Sequence, residues 1–316
     1  MCMYGCLCVC LVHHFHHFHG PHEINSVFVI SQGYMSTMNE VPPGNYGMLD
    51  QVAALERVKE NIGYFGGDAE SITVFGQSAG SASGMHLLSP MSEGLFHKAI
   101  QHSGSPLSQW AVQLPPYDPL NGTYGLADNI GCPRQPHSAL LDCLKTKDAM
   151  EISYHTPDSN YDSMTFAPVV DGSFLTDEPL NLMKEGRFHK VPLMMGYTKD
   201  ETRIVAFLRL EDPENGVPHD EFKSLIMALA KARPYFSDTV DYDAMASAVE
   251  YAYTPWEDPE DKLRLRDAYA RLLDDMWFDA SIHWQAKLTS KAGMDTFVYR
   301  FDHQGNLPDM IEKRKH

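Results

Sequence analysis

Basic residues are scarce in this sequence: 25 Lys and Arg face 42 Asp and Glu over 316 residues, a formal charge of −17. Nucleic-acid surfaces need clustered Lys and Arg, so a nucleic-acid partner is excluded. The acidic surplus favours solubility and would also steer a cationic ligand. Long apolar runs are missing too, and no stretch approaches the roughly 20 residues of a membrane-spanning helix. Repeats and low-complexity linkers are likewise absent. With 43% apolar and 21% charged residues, the composition is that of a folded globular protein.

Cysteine is sparse in the body of the chain. Four of six (Cys2, Cys6, Cys8, Cys10) fall in the first ten residues, leaving Cys132 and Cys143 to bracket a short loop. That pair suits a structural disulfide in an oxidising compartment, or two buried free thiols. Met1 to Val12 is a short apolar run, followed by His13, His14, His16, His17, His19 and His22. It lacks the basic start and small-residue cleavage site of a signal peptide. Its Cys and His spacing matches no zinc pattern, so no metal site is expected. Residues 1–25 therefore read as a leader, either a poor signal peptide or a mispredicted exon, and residues 26–316 as one globular domain.

Val27 to Ser31 is β-branched and reads as a buried strand. Met48 to Ile62 places apolar residues at 48, 49, 52, 55, 58 and 62, one face of a helix that Gly66-Gly67-Asp68 ends. Ser71 to Phe75 predicts a strand, Ala79 to Leu88 a buried helix, and Phe96 to Gln101 a further apolar segment. Strands are also expected at Phe166 to Val170, Val191 to Gly196 and, buried, Thr296 to Phe301. Helices are expected at Glu221 to Ala232 and Asp261 to Ala286. Alternation of this kind gives an α/β fold, a mostly parallel sheet with helices on both faces.

Gly76-Gln77-Ser78-Ala79-Gly80 carries the chemistry. It is a G-x-S-x-G elbow with a strand before it and a helix after it. The tight turn would expose Ser78 as a nucleophile, and the Ala79 N–H would serve as an oxyanion donor. Around it run Asn45-Tyr46-Gly47-Met48-Leu49-Asp50-Gln51, Glu60-Asn61-Ile62, Phe65-Gly66-Gly67-Asp68, His86-Leu87-Leu88-Ser89-Pro90, Gly94-Leu95-Phe96 and Ser103-Gly104-Ser105-Pro106. In order and spacing this succession resembles the type B carboxylesterases, the cholinesterase-like branch of the α/β-hydrolases.

The resemblance implies a carboxylic ester hydrolase acting on a small-molecule ester through an acyl-enzyme, with no cofactor. It makes Ser78 the nucleophile and Glu201, in Gly196-Tyr197-Thr198-Lys199-Asp200-Glu201, the triad acid, with Asp200 as rival. Trp110 and Gln77 would belong to the substrate pocket, and Asp171-Gly172 would end the strand from Pro168. Cys132 and Cys143 match a family disulfide, which implies a secreted or extracellular location. Asn121-Gly122-Thr123 is a glycosylation sequon.

Three departures stand out. A Cys/His-rich leader occupies the place of the family's glycine-rich oxyanion loop. No segment resembling the triad histidine's follows Phe301; His316 is near the expected place in an unlike context, while His303, His86, His97, His102 and His283 read as non-catalytic. Gln77 replaces the glutamate that cholinesterases carry there, which argues against a choline ester. The chain is thus expected to be truncated at both ends and nearly inactive by itself. The alternative implied by the resemblance is a non-catalytic adhesion or binding module with a protein partner, as in the neuroligin- and gliotactin-like branch.

Overall fold

The structure is a computed structural model describing residues 7–8, 33–38, 44–157, 164–231 and 240–303. The expected strand at Val27 to Ser31, the histidine-rich leader and His316 lie outside these residues. Among the described residues the sheet has five strands: β1 (Leu7–Cys8), β2 (Thr73–Gln77), β3 (Lys98–His102), β4 (Leu193–Thr198) and β5 (Thr296–Phe301), side by side in that order. β2 to β5 are parallel, and β1 pairs antiparallel with β2 at Gly76 and Phe75. Register aligns Gln77 with His102 and His102 with Gly196, so the carboxyl ends of β2 and β3 open onto one rim. Parallel sheets bind ligands at such a rim.

α1 (Tyr46–Asn61) forms where the apolar stripe predicted it, burying Met48, Val52 and Leu55. A 3-10 turn, Ile62–Phe65, closes it, and Gly66 stops it with φ 79°. Only the first turn of the helix expected after the elbow is α-helical (α2, Ala79–Ala82); Ser83–Leu87 tightens into a 3-10 helix. Ser81, Ser83 and Gly84 are weak helix formers, and the Ser81 hydroxyl is committed to the Gly104 carbonyl at 2.7 Å.

Phe166 to Val170 does not form the expected strand. Only Val169 makes a bridge, to Gln113. The Asn45 side chain occupies both polar groups of Val169, accepting from its N–H at 2.9 Å and donating to its carbonyl at 2.8 Å. Pro168 has no donor to offer.

Beyond β3 come α3 (Pro119–Asn129), α4 (His137–Lys145), α5 (Ala149–Tyr154) and α6 (Pro179–Lys184). After β4 follow α7 (Arg203–Arg209), α8 (His219–Lys231), α9 (Tyr242–Tyr253) and α10 (Lys262–Asp274). A π-helical turn, Asp275–Asp279, joins α10 to α11 (Ala280–Lys291). The predicted helix at Asp261 to Ala286 is thus real but interrupted.

Leu55, Ile72, Leu193, Met195 and Ile282 form the core between the sheet and its helices. Phe222, Leu265, Tyr269 and Leu273 build a second core among α8, α9 and α10. Burying each such side chain contributes about 1.5–3 kcal/mol. β5 is not the buried strand expected: Phe297 is 63% and Phe301 53% exposed. It lies at the end of the sheet order, without a further described strand beside it. No helix among the described residues is long and apolar enough to cross a membrane.

Candidate active site

Ser78 sits immediately after β2 with φ 57°, a left-handed conformation that a serine adopts only under constraint. Three contacts impose it. Its N–H donates to the His102 carbonyl at 2.9 Å, and its own carbonyl accepts from Ser81 N–H at 2.8 Å. The third is the glycine pair, since a Cβ on Gly76 would overlap the Gly80 backbone. Any residue but glycine at position 76 would force the strand and α2 apart. Ser78 is half-buried, while Gln77 and Ala79 on either side are exposed. Ala79 opens α2.

Beside the elbow, β3 ends in a matching turn. Ser103 has φ 55° and is buried, and its N–H donates to the Gly196 carbonyl at 2.7 Å. A Cβ on the next residue, Gly104, would lie 2.8 Å from the Ser78 carbonyl and 3.1 Å from the Trp110 ring. Glycine there lets three segments converge. Trp110 Nε1 donates to the Trp277 carbonyl at 3.1 Å, and the ring rests at a 5.8 Å centroid separation from Phe278. That contact ties Trp110 to the π-helical turn.

Glu201 lies in the loop after β4, and its Oε1 accepts from the Ser103 hydroxyl and from Thr198 N–H, each at 2.6 Å. Asp200, its neighbour, is exposed. The next residue, Thr202, donates through N–H and hydroxyl to Asp274 Oδ1 at 2.5 and 2.7 Å. Asp274 is pushed up to about 6, first by burial and then by the charges of Glu201 and Asp200; the two Thr202 bonds oppose the shift. Asp279 is pushed up to about 7, again first by burial, then by Asp275, Asp274 and Glu201, with Arg271 opposing. Sequence reading did not single out Ser103, Thr202, Asp274 or Asp279 as site residues. Ser103 lay within a quoted motif; the two aspartates carried no local signal.

Among the described residues no histidine ring bonds Ser78 or Glu201. His102 is engaged through Nδ1 with the Tyr299 hydroxyl, and burial lowers its pKa. His86 is buried against Ser92 and Gln51, His97 faces Ile72 N–H, and His283 meets the Tyr197 hydroxyl at 2.9 Å. His303 is exposed. Asp171 caps a surface turn, its Oδ1 accepting from Ser173 and Leu175 N–H. Cys132 and Cys143 form a disulfide. Asn121 is exposed in the first turn of α3, while Thr123 of its sequon is buried with its hydroxyl on the Ser36 carbonyl. No cluster of His, Cys, Asp and Glu suited to a metal occurs among the described residues.

A strand, a serine at positive φ and a helix, at the carboxyl rim of a parallel sheet, define an α/β-hydrolase. The carboxylesterase family model matches residues 31–315, and the chain belongs to that family. It is 35% identical over 274 residues to neuroligin-3 of Mus musculus, covering 86% of this chain and 32% of that protein. Neuroligin-3 of Rattus norvegicus and of Homo sapiens match at the same identity, with 31% of their lengths covered. The chain thus spans about a third of the length of these curated relatives.

Proposed function

We propose that the polypeptide carrying this chain is a carboxylic ester hydrolase, with Ser78 as nucleophile and Glu201 as triad acid. The observation that carries this reading is the elbow itself. Ser78 is held at φ 57° beside a turn whose Ser103 orients Glu201. Residues held in such sparsely populated backbone conformations cluster at active sites, which supports a nucleophile at this position. In the reaction, Ser78 Oγ attacks the ester carbonyl carbon while its proton passes to a histidine outside the described residues. The oxyanion is held by the Ala79 N–H together with further donors. The alcohol leaves with the proton, and water then releases the acid from the acyl-enzyme. Trp110 and Gln77 border the substrate. Glu201, rather than exposed Asp200, orients the histidine and stabilises its charge.

The disulfide supports an oxidising, secretory or extracellular setting, with residues 1–25 as leader and Asn121 as a glycosylated surface position. The test is turnover of a short-chain aryl ester by the whole polypeptide. Ser78→Ala is expected to reduce it by several powers of ten, on the order of a millionfold in the limit. Turnover indifferent to that substitution would overturn the reading.

A second reading, a protein-binding module without hydrolysis, is favoured by the similarity to neuroligin-3. Absence of any turnover, with a folded Ser78 elbow, would move the conclusion there.

A further inference from the structure

The π-helical turn between α10 and α11 places acidic groups against the Glu201 loop. Asp274 reaches the loop directly, since Thr202 donates to it through both N–H and hydroxyl. Asp275 accepts from the Tyr253 hydroxyl at 2.7 Å and sits 3.7 Å from Arg271. Asp279 is different: its Oδ1 is buried and has no hydrogen-bond partner among the described residues. A buried carboxylate oxygen with no donor is costly when ionised and far less so when the group is protonated. π-turns interrupt a helix at an energetic cost, and they concentrate where function requires the distortion.

We propose that Asp279 is a proton switch on the Glu201 loop, which stays clamped to the end of α10 through Asp274 while Asp279 is neutral and loosens when it ionises. The groups that act on the switch come from every packed element. Asp274 and Arg271 lie on α10, Asp275 on the π-turn itself, and Glu201 and Asp200 on the loop after β4. Around them lie Tyr197 near the end of β4, Tyr253 on α9 bonded to Asp275, His283 on α11 bonded to Tyr197, and Arg300 on β5. Ionisation sets a further negative charge against Asp274, Asp275 and Glu201, with Arg271 as the opposing charge on Asp279. The repulsion is relieved by moving the loop, because Asp274 and Asp279 are both built into the helical backbone. Burial and these neighbours bring the transition to about pH 7. Asp279 takes its proton from water, so no other reactant is required.

The inference concerns loop opening and does not depend on ester hydrolysis. Its test is therefore hydrogen exchange of the Tyr197–Arg209 peptide in the 316-residue chain between pH 6 and 8, corrected for intrinsic exchange. The opening equilibrium at Thr198 and Thr202 is expected to rise by up to about tenfold per pH unit below about 7, the limit for one linked proton, and to level off above it. Asp279→Asn is expected to hold the loop protected and flatten the dependence. Arg271→Gln removes the opposing charge and is expected to move the midpoint to higher pH; it decides the matter if Asp279→Asn fails to fold. Opening independent of pH, a slope retained in Asp279→Asn, or an unmoved midpoint in Arg271→Gln would each overturn the proposal.

Discussion

Ser103 and Glu201, 98 residues apart in the chain, meet at 2.6 Å where β3 and β4 end. The contact couples the turn beside Ser78 to the loop that carries Glu201, and Ser103 holds a positive φ there. Hydrogen bonds to charged groups contribute about 1.5–3 kcal/mol. Ser103→Ala is expected to cost that much in urea unfolding and to leave Glu201 held by Thr198 N–H. Ser103→Gly loses the same bond but relieves the left-handed strain, so it should be less destabilising than alanine there. Equal stability of Ser103→Ala and the parent chain would remove Ser103 from the account.

His86 predicts a pH dependence of its own. It is fully buried and bonded to Ser92 and Gln51, and burial, followed by the charge of His189, lowers its pKa to about 4. The unfolded chain takes up this proton near pH 6.5, the folded chain only near 4, so acid favours unfolding in that window. His86 alone is expected to lower stability by about 2–3 kcal/mol from pH 7 to 4.5. Asp279 acts oppositely across the same range: its raised pKa makes native stability fall as pH rises from about 4, the unfolded carboxylate value, through about 7. Over the range they share the two effects oppose each other, so the His86 contribution is read from its own titration. An NMR titration showing His86 protonated at pH 6 would contradict the assignment.

Much of this organisation was legible in the sequence, and the failures have local causes. β5 begins and ends where its β-branched and aromatic residues placed it. Its burial was misjudged because a run such as Thr296 to Phe301 reads the same on an edge as in a core. α1 followed from the spacing of Met48, Val52 and Leu55. The strand expected at Val169 failed because Asn45, 124 residues away, took its hydrogen bonds, and no local pattern encodes that. Ser78 and Glu201 are proposed as site residues on motifs alone. Asp274 and Asp279 stand in an ordinary helical stretch, and only the fold brings them to the loop.

The disulfide joins the end of α3 to α4, with Cys132 and Cys143 separated by 11 residues. Closing so short a loop restricts the unfolded chain by about 3 kcal/mol in the chain-entropy model. Reduction, or paired substitution by alanine, is expected to lower the urea midpoint accordingly. It should act on the small core around Leu126, Leu140 and Ile152. A midpoint unaffected by reductant would show the bridge to be absent or energetically idle.

The most direct measurement is a phosphonate probe that reacts covalently with activated serines, applied to the whole polypeptide and located by peptide mass spectrometry. The account predicts an adduct on Ser78, formed roughly 10⁴-fold more slowly in Glu201→Gln, the scale seen when a triad acid is neutralised. A folded polypeptide that leaves Ser78 unlabelled would contradict it and assign the elbow to a binding protein.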